Sequence, residues 1–543
     1  MAATARYAWV VLAARFPRWT CTGGANCAPL GLVHPRPGGL PPPPEVLGNL
    51  ASIIEPHDAA SVALISRGHV TTYGELRDQV AGLRGGLVGL GIEAGDRVGI
   101  LCANNWYFVS SYLAILGIGA VAVPLNPLSP ARELERELSA VGVRAVMVGP
   151  SGRATIDAVN RDRLPALEFV VHGEGHDGGD VHFNDLLRAE PVPLVSREDD
   201  DLAVLIFTSG TAGSPKAAML SHGNLLSSID QVIALRGDGG NHNDVGFGVL
   251  PLFHIFGLNV VLGTALKAGA SVVLVERFDP SSAVEAIQKY GVTVLAGAPT
   301  MWSTWAAMTD LADDAFATVG IAMSGAAALD PQVATAVRER FGLEVGEGYG
   351  LTEASPVVTT SFGLPWRPGS VGSALDGVEI RLVDVDGEDA LVGDPGEIWV
   401  RGPNVFHGYW NDEEATNAAL DAEGWLHTGD VALVDDDGMI YLVDRAKDLI
   451  IVSGFNVFPA EVEEIICEMP GVAECAVVGV PHPHTGESVK AFVVPTPGYA
   501  LEEDAVIEHC ADQLARYKCP QKVNFVDALP QNLSGKVLRR ALR

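Results

Sequence analysis

The sequence predicts an α/β protein with largely parallel sheets, then a β-rich stretch, then a further mixed α/β segment. Three observations predict it. From about Leu47 onward, short apolar strands alternate with helical stretches at the spacing of βαβ units. After about Gly369 the texture changes to short β-rich segments with polar turns. After Asp444 comes another mixed stretch, and no internal repeat is present. At roughly 150 residues per domain, 543 residues make three to four domain-sized units.

The elements follow in order. Residues 1–45 end in PRPGGLPPPP and read as a disordered, polyproline-type leader. Tyr7–Ala14 faintly resembles a signal peptide, but its apolar run is short and Arg15, Arg18 and prolines follow. Thr72–Leu90 and Pro130–Val141 read as helices. Arg97–Leu101, Ala145–Val148, Phe169–Val171, Ala203–Thr208, Ser271–Leu274 and Thr293–Ala296 read as strands. Trp106–Asn126 is uncharged, yet Gly117, Gly119 and Pro124 interrupt it. A membrane span needs about 20 apolar residues, so a buried helix leading to the strand Ala120–Pro124 is the better reading. Val378–Asp384, Gly396–Gly402 and Val431–Val443 are the β-rich segments. We place a boundary near Asp444–Lys447, giving a large domain over 46–444 and a small one over 445–543.

Composition narrows function. With 48% hydrophobic and 19% charged residues the chain is not a disordered one. The net charge, 36 − 67 = −31, argues against bulk binding to nucleic acid or anionic membrane. Seven scattered cysteines suggest a reducing, cytoplasmic setting rather than a disulfide framework. Loose membrane association to collect substrate stays open. The last 28 residues invert the balance, with seven basic residues against Asp527 alone, as suits a tail that meets an anionic ligand.

Five segments carry chemistry. FTSGTAGSPK (Phe207–Lys216) follows an apolar strand, and its small residues allow backbone N–H groups to face phosphate, with Lys216 adding charge. It is not a Walker A loop, since Gly213 is followed by Ser-Pro-Lys. GEGYGLTE (Gly346–Glu353) joins glycines, the aromatic Tyr349, a hydroxyl and a carboxylate able to hold Mg²⁺. In WLHTGD (Trp425–Asp430), Asp430 can accept two ribose hydroxyl bonds. DRAKDLIIVSGFNVFP (Asp444–Pro459) lies at the boundary, and LPQNLSGKVLRR (Leu529–Arg540) presents Lys536 in the basic tail.

In this order and spacing, the segments resemble the adenylate-forming superfamily of acyl-CoA synthetases, luciferases and peptide-synthetase adenylation domains. The resemblance runs from about Leu47 to the C-terminus. It implies two α/β subdomains and a small β-rich one in the large domain, with a mobile α+β C-terminal lid. It implies ATP, Mg²⁺ and CoA as the small molecules used. Thr208, Ser209, Gly210, Thr211 and Lys216 match the phosphate loop. Gly325, Ala326 and Ala327 match the loop against adenine, and Gly348 with Tyr349 the other side of that site. Thr352 would contact the α-phosphate and Glu353 would ligate Mg²⁺. Asp430 and Arg445 would hold ribose, and Lys447 sits at the hinge. Lys536 matches the lysine that bridges substrate carboxylate and α-phosphate. His254, in PLFHIFG, matches the aromatic gate between nucleotide and acyl pocket. Ser453, Gly454 and Phe455 match the loop that enters the pantetheine channel. Two positions depart from the pattern: Ala212 replaces a threonine and Ala217 a glycine.

The acyl-pocket walls implied by the resemblance, Phe253–Gly257, Ala296–Trp302, Met323–Gly325 and Gly350, contain no Lys, Arg or Asp. An amino-acid substrate is therefore disfavoured and a carboxylic acid with an apolar tail favoured. The leading expectation is a fatty acyl-CoA synthetase. The alternatives are an aryl (coumarate-type) CoA ligase, an acyl-AMP ligase loading a carrier protein, and a non-catalytic nucleotide-binding regulator.

Overall fold

The computed structural model describes residues 48–173, 181–208, 216–237, 240–445, 450–452, 455–482, 486–514, 516–531 and 537–543. Among them lie two large parallel-rich sheets, one antiparallel sheet of four strands and one mixed sheet of five. The Pro-rich leader falls outside the described residues.

Every strand expected from apolar patterning forms, within a residue or two at each end. The seven-stranded sheet runs Val181–His182, Phe169–His172, Ala145–Val148, Arg97–Leu101, Val121–Leu125, Leu202–Thr208, Lys216–Ser221 in space. All its pairings are parallel except the last. The uncharged stretch resolves into the helix Trp106–Gly117, buried from Tyr107 onward, and the wholly buried strand Val121–Leu125. Among the described residues no helix is long and apolar enough to cross a membrane. The helix Tyr73–Gly89 begins where Thr72 and Glu75 form a reciprocal capping box, which satisfies two of its free N–H groups.

The nine-stranded sheet has a parallel centre made of Val345–Gly350, Ile321–Ser324, Val294–Gly297, Val245–Gly248, Ser271–Leu274 and Val62–Ser66. The β-rich segments form the antiparallel sheet Glu379–Val383, Gly396–Arg401, Leu426–Val434, Ile440–Arg445. The next strand, Ile450–Val452, belongs to the five-stranded sheet with Phe455–Val457, Gly486–Pro495, Val472–His482 and Lys522–Phe525. The chain thus changes sheet between Arg445 and Ile450, across the stretch where composition changes.

Buried carboxamides hold the loops between sheets. Asn259, in the π-helical segment Phe256–Gly263, donates to the carbonyls of Leu225 and Ser355 at 3.1 and 2.7 Å. Asn404 donates to those of Ala354 and Val357. Asn224 donates to Pro403 and Val405. Asn104 donates to Gly248 and Leu250 and accepts from the Leu252 N–H.

His222, fully buried beside Asn224, accepts the Leu50 N–H at Nδ1 (3.0 Å). Burial, with the nearby Arg197 charge, pushes its pKa down to about 4. A proton on Nδ1 would break the Leu50 bond. The folded state therefore binds this proton less well than the unfolded state. Stability should fall as pH drops from 6.5 towards 4, by up to about 3 kcal/mol from this group. Denaturant midpoints across that window should show the loss, and His222→Gln should flatten it. An unchanged slope in the variant would assign the acid sensitivity elsewhere.

Candidate active site

Three parallel strands of the nine-stranded sheet end on one side and deliver loops to one crevice, the place where open α/β sheets bind ligands. Val294–Gly297, Ile321–Ser324 and Val345–Gly350 pair in register, with Gly297 opposite Ser324 and Ser324 opposite Glu347. Gly325, Ala326 and Ala327 follow the second strand. Gly348 and Tyr349 end the third, and Thr352 and Glu353 begin the short turn Thr352–Ala354 beyond it.

Local packing dictates residue choice here. A Cβ on Gly325 would lie 2.8 Å from the Phe256 ring, so that ring and the loop touch. A Cβ on Gly350 would meet the Pro356 carbonyl oxygen at 2.1 Å. Ala326 has φ +71°, a left-handed backbone that costs a non-glycine residue about 1–2 kcal/mol. Glu347 is buried and accepts from Leu329 N–H (3.2 Å) and Gly369 N–H (3.0 Å). It ties the far end of the Gly325 loop to the chain beyond the sheet. Burial raises its pKa, against the pull of these two bonds.

The other sheets reach the crevice through two phenols. The Tyr349 hydroxyl donates to Asp430 Oδ2 at 2.7 Å, and both side chains are less than a tenth exposed. Asp430 pairs across strands with Arg445, so the two residues expected at ribose are backbone neighbours. The Tyr409 hydroxyl donates to Glu353 Oε1 at 2.7 Å, while Lys216 Nζ lies 5.2 Å from the centre of the Tyr409 ring. Burial, then the Glu353 charge, raises the Tyr409 pKa, so the phenol stays a donor. Tyr409 reaches this position because 407–410 runs beside the strand Lys216–Ser221, with Trp410 N–H on Ala217 O and Met219 N–H on Gly408 O. Ala217 is buried in that strand, which accommodates its methyl group.

Thr208 stands opposite Lys216 at the mouth of the hairpin, and its hydroxyl donates to the Lys216 carbonyl at 3.4 Å. Ser209, Gly210, Thr211 and Ala212, between them, lie outside the described residues, as do Lys447, Ser453, Gly454 and Lys536. Phe455 opens the strand Phe455–Val457. His254 is exposed on the turn before the segment Phe256–Gly263. The surrounding protein lowers its pKa, and Nδ1 accepts the Phe256 N–H at 3.3 Å.

Sequence reasoning passed over Tyr409 and Glu347. Glu347 lies inside a motif already singled out, and a carboxylate between glycines on a buried strand was its signal. Tyr409 had a weaker one, an aromatic residue in the polar loop HGYWND.

The crevice, with Thr208 and Lys216 at the mouth of a hairpin, a glycine-flanked aromatic and carboxylates from two sheets, points to a nucleotide-using enzyme of the adenylate-forming class. The model for AMP-binding enzymes matches residues 55–410, and that for their C-terminal domain matches residues 461–536. The chain belongs to the AMP-binding enzyme family, within the adenylate-forming superfamily, and is an AMP-forming acid–CoA ligase. It is 36% identical over 513 residues to 4-coumarate–CoA ligase 2 of Oryza sativa subsp. japonica, covering 90% of this chain and 89% of the relative. It is 37% identical over 474 residues to 4-coumarate–CoA ligase of Pinus taeda, covering 84% and 86%. Among solved structures, ATP-bound MatB from Rhodopseudomonas palustris superposes with a TM-score of 0.85 at 34% identity, covering 91% of this chain and 98% of that one. The anthranilate CoA ligase AuaEII with anthranoyl-AMP gives 0.83 at 29% identity, covering 91% and 96%.

Tyr409→Phe keeps the ring beside Lys216 and removes only the hydroxyl on Glu353. A hydrogen bond to a charged group contributes about 1.5–3 kcal/mol, so acid-dependent pyrophosphate exchange should slow by at least about tenfold. Thermal unfolding, run in parallel, should change little. Exchange at the parental rate would show that the bond does not position Glu353 for the reaction.

Proposed function

We propose that the protein joins an aryl carboxylic acid of the coumarate type to CoA through an acyl-AMP. The observation that carries this reading is the aromatic wall behind the Val294–Gly297 strand. Trp302 is fully buried, and a Cβ on Gly297 would lie 3.2 Å from its indole nitrogen. Trp302, Trp305, Phe316 and Phe341 continue edge to face, with ring centres 5.5, 5.2 and 5.0 Å apart. All four belong to or pack against one buried core cluster, so packed core rather than a channel lies behind Gly297, which favours a short flat acid over a long alkyl tail. The names of the curated relatives point the same way. The fatty acid that wall polarity alone favoured is therefore the second choice.

In this reading the acid's carboxylate attacks the α-phosphorus of ATP, forming the acyl–phosphate bond as the bond to pyrophosphate breaks. Two anions meet, so fixed positive charge lowers the barrier. Lys216 and Lys536 bring it, and Thr352 bonds the α-phosphate. Gly325, Ala326, Ala327, Gly348 and Tyr349 flank adenine, while Asp430 and Arg445 hold ribose. The phosphate loop Thr208–Thr211 supplies backbone donors. Glu353, with Oε1 taken by Tyr409, keeps a carboxylate oxygen suited to Mg²⁺, a hard cation. Bound there, Mg²⁺ would neutralise phosphate charge. His254, kept neutral, separates nucleotide from acyl group without adding a charge. In the second step the CoA thiol attacks the acyl carbonyl and AMP leaves. The part we assign to Ser453, Gly454 and Phe455 is to admit the thiol, and that of Lys447 is to be the pivot that exchanges them with Lys536.

A mass-spectrometric assay with ATP, Mg²⁺, CoA and a mixed panel tests the substrate. Hydroxycinnamates and benzoates should exceed C8–C16 fatty acids by at least about tenfold in kcat/KM, the worth of one or two methylenes of misfit. The reverse ranking would restore the fatty acid reading.

Lys536→Ala should lower adenylation by about 100-fold or more, the cost of removing a group that acts on the transition-state charge. Thioester formation from supplied acyl-AMP and CoA should persist. Equal losses in both steps would remove Lys536 from the adenylation role.

A further inference from the structure

Cys467 and Cys475 stand with their sulfurs 3.3 Å apart. Cys467 ends the helix Pro459–Cys467 and is exposed. Cys475 lies on the strand Val472–His482, opposite Val493 of the neighbouring strand, and is half-buried. The residues around the pair hold the chain on both sides of Lys536. Glu474, beside Cys475, accepts from Gln531 Nε2 at 3.1 Å. Glu463, whose carbonyl oxygen is 3.3 Å from Cys475 Sγ, grips Arg539 through both carboxylate oxygens at 3.2 and 2.6 Å. The same carboxylate accepts the Val477 N–H at 2.6 Å. Gln531 and Val537 form a bridge across the intervening segment. The two thiols therefore sit under the two anchors that flank Lys536.

We propose that Cys467 and Cys475 are a thiol–disulfide modification site whose oxidant is a low-molecular-weight disulfide of the glutathione class. The consequence for catalysis rests on the role given to Lys536 above. The Cys467 thiolate attacks one sulfur of the oxidant. Its S–S bond breaks, and the first thiol leaves with a proton. Cys475 then loses its proton to water and attacks Cys467 Sγ, expelling the second thiol. Two electrons pass from the pair to the oxidant, giving one protein disulfide and two small thiols.

The geometry suits each role. Cys467 is the accessible sulfur. The Cys475 thiol donates to the Glu463 carbonyl at 3.3 Å, and the contact with Cys467, then burial, raises its pKa. Nucleophile and resolving thiol are thereby distinguished. Bonding requires the sulfurs to close from 3.3 Å to about 2.05 Å. That movement draws the strand at Cys475 and the last turn of the helix together. It displaces Glu474 and Glu463, and with them the anchors of Gln531 and Arg539.

The experiment treats the full-length protein with oxidised glutathione and maps thiols by differential alkylation and mass spectrometry. Cys467 and Cys475 should lose reactivity together, as an intramolecular disulfide that dithiothreitol reverses. Cys475→Ser should instead trap a glutathione adduct at Cys467. Oxidation should slow acid-dependent pyrophosphate exchange by at least fivefold in the parent and not in Cys475→Ser. Thioester formation from supplied acyl-AMP should change less than twofold. Modification of Cys467 alone in the parent would overturn the site. A disulfide that leaves exchange untouched would overturn its link to the Lys536 anchors. The thiol map is read without turnover, so a wrong role for Lys536 would leave it intact.

Discussion

Backbone groups in buried loops must find hydrogen-bond partners, and the whole crevice depends on how this chain supplies them. The turn carrying Thr352 and Glu353 ends at Ser355, where the strand pairing stops. Asn259 and Asn404 take the carbonyls of Ser355, Ala354 and Val357. Asn224 holds the segment that bears Asn404, through Pro403 and Val405. Each carboxamide binds two backbone groups from distant parts of the sequence, so each fixes the spacing of two loops. An apolar residue in its place would leave two carbonyls unpaired, at about 1–3 kcal/mol each.

Upon this frame, one device recurs. A tyrosine from one element donates its hydroxyl to a carboxylate from another: Tyr349 to Asp430, Tyr409 to Glu353. Each bond fixes one carboxylate oxygen and with it the orientation of the group. Each adds to the backbone bonds, such as Val371 N–H to Ile440 O and Phe406 N–H to Glu353 O, that join these elements. A short bond between rigid elements holds a charged group more closely than a loop could alone.

The fold was legible because its signals are local. Thr72 three residues before Glu75 announces a helix start, and runs such as Ala145–Val148 announce buried parallel strands. Asp430 and Glu353 were legible because they sit in dense motifs. Tyr409 was not, since its meaning comes from running beside Lys216–Ser221, nearly 200 positions earlier. The residue types expected at the acyl walls can be read along the chain, whereas the packing of Trp302 against Gly297 is not encoded in spacing.

The run 407–410 also has a bearing on solubility. Lys216–Ser221 is the last strand of its sheet, and an uncovered last strand is a template for pairing with other molecules. The backbone bonds from Trp410, His407 and Gly408 to Ala217 and Met219 occupy that side. One short stretch thus seals a sheet margin against aggregation while it presents a phenol to the crevice. Lesions that loosen it would be expected to surface first as poor recovery of folded protein, ahead of any defect in turnover.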